Sequence, residues 1–87
     1  MSDLKSRFDE AVAGSKTLTK RPDNATLLAI YANFKQATEG DVKGERPDMF
    51  DRVACAKFDA WEAIEGMSRE DAMAKYAAII EKLKASE

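Results

Sequence analysis

The sequence predicts an all-α fold, a four-helix bundle, and three observations lead there. Apolar residues recur at helical spacing in four separate stretches. Cap residues at Asp23 or Asn24, at Asp51 and at Ser68, with closing glycines at Gly40 and Gly66, mark where those stretches start and stop. No stretch shows the apolar/polar alternation of a half-buried strand. At 87 residues the chain reads as one domain, 1–87, large enough for a single core. Hydrophobic residues make up 45% and charged residues 34%, a balance that suits a globular protein and argues against disorder.

The first helix is expected over residues 2–16. Leu4, Phe8, Ala11, Val12 and Ser15 fall on one face, with Leu4 and Phe8 toward the core. Gly14 weakens its last turn. Residues 17–24 read as a connection, because Pro22 disfavours helix just before it. Asp23 or Asn24 then caps a second helix over 25–39, which Gly40 closes.

This second helix carries two lines of side chains. Ile30, Phe34 and Ala37 form a wholly apolar line that reads as core. Leu28, Tyr31 and Lys35 form another, since positions i, i+3 and i+7 stack along a helix face. A phenol and an ammonium one turn apart offer a seat for a phosphate. Alternatively, Lys35 only snorkels from the edge of the core.

Residues 41–50 lack periodicity and form a long loop for a bundle. Met49 and Phe50 are expected to tuck back onto the core. Arg46, just before Pro47, is expected to pair with a carboxylate and fix the loop.

A third helix is expected over 51–65, capped by Asp51 and stopped by Gly66. Its stripe is Val53, Lys57, Ala60, Trp61 and Ile64. A cation inside that stripe is costly to bury alone. So Lys57 meets an acidic partner, or meets an anionic ligand, or that part of the stripe faces solvent. Cys55, among alanines, reads as a small packing residue rather than a reactive thiol.

Ser68 caps the fourth helix, with Asp71 three residues on in a capping-box-like arrangement. Met73, Tyr76, Ala77, Ile80 and Leu83 line one face, and Lys82 and Lys84 suit the helix dipole. The tail, Ala85-Ser86-Glu87, is expected to fray.

The composition also excludes function classes. With no histidine and one cysteine, the usual zinc clusters, a disulfide and a histidine-based triad are all ruled out. A net charge of −2 argues against a general nucleic-acid binder. An anionic ligand would need a local cluster of Lys and Arg. No apolar run reaches the length of a membrane span, and the N-terminus has no apolar signal core, so the expected location is cytoplasmic.

Three blocks carry a family resemblance. They are Tyr31-x-x-Phe34-Lys35-Gln36-Ala37-Thr38-x-Gly40-Asp41 with Glu45-Arg46-Pro47 after it, Lys57-Phe58-Asp59-Ala60-Trp61, and Gly66-x-Ser68-Arg69-Glu70-Asp71-Ala72-Met73 with Tyr76 following. In this order and spacing the chain resembles the acyl-CoA-binding protein family, from Phe8 to Leu83. The resemblance implies a bundle of up-down-down-up topology. It implies a monomeric cytosolic carrier of long-chain fatty acyl-CoA that catalyses nothing and uses no cofactor or metal. Neither nucleic acid nor stable membrane insertion is expected.

By the same resemblance, Tyr31, Lys35, Lys57 and Tyr76 hold the CoA head group, Lys16 is a further family lysine, and Phe34 stacks near the adenine without its usual hydroxyl. Leu27 and Leu28 are expected along the acyl tail, with Phe8 and Val12 as further candidates. Val53 stands where the family usually has another lysine, with Arg52 next to it as a partial substitute. Glu39 and Asp48 stand where uncharged residues are more usual. Two other classes stay open: a helical protein-interaction module, and an enzyme or accessory acting on acyl-CoA. The lack of an activated nucleophile counts against the latter.

Overall fold

The computed structural model describes residues 3–87. It contains α1 (Asp3–Ser15), α2 (Asn24–Glu39), α3 (Arg52–Glu62) and α4 (Arg69–Ala85), and no strand among the described residues. The expected start of α1 at Ser2 lies outside them.

The caps are where the sequence places them. The Asp23 carboxylate accepts from the Thr26 N–H at 2.8 Å and the Asp51 carboxylate from the Ala54 N–H at 3.1 Å. The Ser68 hydroxyl accepts from the Asp71 N–H at 3.0 Å. Each satisfies a donor that the first turn of a helix leaves free. Gly40 closes α2 with φ +84°, and its N–H donates to the Gln36 carbonyl. Only glycine takes that conformation without a steric penalty.

Side-chain pairs fix the direction of each helix. Phe8 meets Tyr76, and Thr17 meets Lys84, so α1 and α4 run parallel. Phe34 meets Tyr76 while Thr38 meets Arg69, so α2 and α4 run antiparallel. Tyr31 faces Lys57 and Gln36 faces Trp61, so α2 and α3 run parallel. The result is the up-down-down-up bundle, with α4 packed on α1 and α2, and α3 on α2 alone.

Phe8, Ala11, Ala37, Ala72, Tyr76, Ala77 and Ile80 form the core. Four of these are alanines, whose small side chains leave room for helices to pack closely. The rings of Phe8, Phe34 and Tyr76 fill the centre at centroid separations of 5.2–6.1 Å, within the range where aromatic pairs attract.

A polar cluster joins the other end of α2 to α3 and to the approach to α4. Gln36 is fully buried. Its amide donates to the Asp41 carboxylate and to the Met67 carbonyl, both at 2.8 Å. Its oxygen accepts from the Trp61 indole N–H at 3.1 Å, which also reaches the Gly40 carbonyl at 2.9 Å. Asp41 accepts from the Gly66 N–H too, and that bond with the Gln36 amide holds its carboxyl below the usual carboxylate range.

Several expectations need correction. Met49 and Phe50 do not tuck onto the core: they are 71% and 88% exposed. They sit at the tip of a turn in which the Asp51 N–H donates to the Asp48 carbonyl and the Phe50 N–H to the Asp48 carboxylate. A turn of this kind, closed by an Asp side chain, points its central residues outward. The loop is held instead by Arg46, whose guanidinium forks onto Asp59 with two bonds of 2.9 Å, as the sequence suggests. That hydrogen-bonded pair raises the Arg46 pKa and lowers that of Asp59.

α3 ends at Glu62 rather than 65. The next residues tighten into i→i−3 bonds, Ile64 to Trp61 and Glu65 to Glu62, a common way for a helix end to satisfy its carbonyls. The tail is also less free than expected. α4 runs through Ala85, and the Glu87 carboxylate accepts from the Thr19 N–H.

Candidate functional site

An open groove of about 850 Å³ runs between the end of α1, the α1–α2 connection, α2 and the first turns of α3. That is within the usual range for a small-molecule site. Val12, Leu27, Leu28, Ile30, Phe34 and Val53 make it apolar. Lys16, Arg21, Arg52 and Lys57 are its charged lining residues, and no Asp or Glu is among them. In a chain of net charge −2, this is a local reversal of sign. None of the four cations is in an ion pair among the described residues. An apolar surface rimmed by unpaired cations suits a ligand with an anionic head and a greasy tail.

Six of the seven residues proposed from the sequence line this groove: Lys16, Leu28, Tyr31, Phe34, Lys57 and Tyr76. Helical spacing brings Leu28 and Tyr31 to one face of α2, and the parallel run of α3 sets Lys57 opposite Tyr31. The Lys57 ammonium lies 5.4 Å from the Tyr31 ring centroid, in cation–π range. Lys57 and Val53 are exposed, so the part of the α3 stripe they occupy faces outward while Trp61 faces the core. Tyr76 is only 3% exposed, packed on Phe8 and Phe34, and also borders the groove.

Lys35 is the exception. Its ammonium bonds to Glu39 at 2.6 Å and lies 5.1 Å from the Trp61 ring centroid, and it does not line the groove. Glu39 is held below the usual carboxylate range, first by that hydrogen bond and then by the lysine charge. Phe8, a candidate for the tail, is also absent from the lining: it is buried in the core at 4% exposure. Val12 and Leu27 do line it.

Sequence reasoning missed Arg21 and Asn24. Both sit in or beside the α1–α2 connection, where no periodicity tells which way a side chain points. Arg52, noted only as a neighbour of Val53, lines the groove beside it. Among the described residues no group of His, Cys, Asp and Glu is placed to hold a metal ion. No helix there is long and apolar enough to cross a membrane.

The profile of the family described as "Acyl CoA binding protein" matches residues 5–80. The chain belongs to that family. Acyl-CoA-binding protein homolog 1 of Caenorhabditis elegans is 45% identical over 76 residues, 87% of this chain and 88% of that protein. The acyl-CoA-binding protein of Dictyostelium discoideum is also 45% identical over 76 residues, covering 87% of this chain and 90% of its own length. The crystal structure of Oryza sativa acyl-CoA-binding protein 2 superposes with a TM-score of 0.89 at 38% identity, covering 95% of this chain and 92% of that one. That of the Moniliophthora perniciosa protein gives 0.88 at 39% identity, with coverage of 99% and 83%. The family is one of binding proteins, and the all-α bundle of this chain is the fold of its relatives.

Proposed function

We propose that this chain is an intracellular carrier and pool former that binds one long-chain fatty acyl-CoA in the α1–α2–α3 groove. The observation that carries the reading is the groove itself: an apolar trough rimmed by four cations and no acid, in a member of this family.

Lys16 and Lys57 take the CoA phosphates, joined by Lys35 once it turns toward them. Charge-assisted bonds of this kind are among the stronger polar contacts. Arg52 and Arg21 add charge near Val53, where the usual family lysine is absent. Tyr31 and Phe34 offer ring faces to the adenine, and stacking on one base is worth roughly 1–3 kcal/mol. Tyr76 supports the Phe34 ring from the core side.

Leu27, Leu28 and Val12 cover the acyl tail. Each buried methylene contributes up to about 0.8 kcal/mol, so a dozen or so reach roughly 10 kcal/mol before the costs of association. The tail therefore dominates affinity and the head group sets identity. The carrier acts as a cytoplasmic monomer, without a cofactor, and returns the thioester intact. Nucleic acid and stable membrane insertion have no part in it.

Calorimetric titration with palmitoyl-CoA, CoA and palmitate tests this. A one-to-one isotherm for palmitoyl-CoA, at least about a thousandfold tighter than for CoA, is expected. Palmitate bound as well as its CoA ester would remove the head-group role from Tyr31, Lys35 and Lys57. No saturation with any of the three would favour a protein-interaction module.

A further inference from the structure

Lys35 and Lys57 clasp the α2–α3 seam reciprocally. The Lys57 ammonium covers the Tyr31 ring at 5.4 Å, and one turn further along the Lys35 ammonium covers the Trp61 ring at 5.1 Å. Tyr31 lies four residues before Lys35 and lines the groove; Glu39 lies four residues after it and holds its ammonium at 2.6 Å. Lys35 thus stands between two destinations, the groove toward the start of α2 and Glu39 toward its end. From this we infer that Glu39 competes with the ligand's phosphate for Lys35 and so lowers the head-group affinity of this chain. The inference rests on the carrier reading proposed above.

Stability gives only a weak reason for a glutamate at this place. It occupies the last residue of α2, where the helix dipole disfavours a negative charge. It also forms its pair with Lys before Glu, the weaker of the two i,i+4 orientations. Both side chains retain access to water, 23% for Lys35 and 44% for Glu39, so solvent screens the pair. A bond of that strength holds the ammonium while the groove is empty and yields to a phosphate carrying more than one charge. The side chains of α2 lean toward its start, so a Lys35 released by Glu39 leans toward Tyr31 and the groove. The four-carbon stem of lysine gives it the reach to turn. Glu39 is not stranded by the exchange. It faces water, and the Lys43 ammonium already donates to its backbone carbonyl at 3.2 Å.

The test is a double-mutant cycle read by calorimetry with CoA and palmitoyl-CoA on the intact chain, Glu39→Gln, Lys35→Ala and the pair. Glu39→Gln is expected to tighten both ligands about two- to fivefold, the scale of a partly exposed ion pair. In the Lys35→Ala background the same substitution should have little effect. Thermal melting of Glu39→Gln should stay close to that of the parent, which separates an affinity role from a structural one. An unchanged or weakened affinity in Glu39→Gln would overturn the inference. So would an equal gain with and without Lys35, since Glu39 would then act by repelling the ligand directly. If the parent chain itself bound neither ligand, the carrier reading would fall and the competition with it; a parent that binds with Glu39→Gln at parity loses the competition alone.

Discussion

Lys57→Ala is expected to weaken palmitoyl-CoA binding by about ten- to a hundredfold, the loss of one charge-assisted bond to phosphate. The fold should hardly notice. Lys57 is exposed on α3, in no ion pair among the described residues, and its contact with the Tyr31 ring is a partly solvated cation–π pair. Such a contact is worth about 0.5–1 kcal/mol at an exposed site, a shift of no more than several degrees in a chain of this size. Calorimetry and a thermal melt on the same variant read both effects. Lys57→Arg should recover part of the affinity, since it restores the charge on a different frame. A melt that falls in step with affinity would make Lys57 a structural residue. Affinity unchanged in Lys57→Ala would remove it from the site.

Gln36→Ala has the opposite signature, a large loss of stability that acts on binding only through the fold. The Gln36 side chain is fully buried, and its amide and oxygen bond to two other segments and to Trp61. Truncation leaves the Met67 carbonyl without that donor and opens a void beside the indole. An unsatisfied buried group and a cavity together cost about 3 kcal/mol, or about 12–24 °C in melting temperature for a domain this small. Gln36→Met, which keeps the volume and loses the bonds, separates the two causes. A melt within a few degrees of the parent for both variants would contradict the part given to this cluster.

Why some features were legible in the sequence and others were not follows from local physics. The four helices were legible because apolar spacing and caps are local signals, and Asp23, Asp51 and Ser68 make the bonds their positions suggest. Tyr31 and Lys57 stood out as candidates because a phenol and a cation on otherwise apolar stripes lack an obvious structural role, and Leu28 falls on the same line of α2 as Tyr31; all three line the groove. Tyr76 read first as core, and it is both core and groove edge.

Other features depend on tertiary arrangement. Whether Met49 and Phe50 turn inward is decided by the Asp48 turn and the Arg46–Asp59 fork, which spacing does not encode. Arg21 reaches the groove through the path of a connection rather than through a helix face. Gln36 gave no signal of being the buried polar centre of this end of the bundle, because its partners lie up to 31 residues away. The direction of the Lys35 ammonium was open for a related reason: helical spacing gives the face of α2 that Lys35 occupies, but not that its ammonium turns along the helix to Glu39.

The seat of the ligand is tested most directly by amide NMR on isotope-labelled protein titrated with palmitoyl-CoA. The groove reading predicts the largest shifts around Lys16 and Arg21, along the Leu28–Tyr31 face of α2 and in the first turns of α3 about Lys57. Small changes are expected along the outer face of α4. Shifts centred instead on the exposed Met49–Phe50 tip, or on the far side of α2 and α4 around Ala29 and Leu83, would place the ligand elsewhere and contradict it.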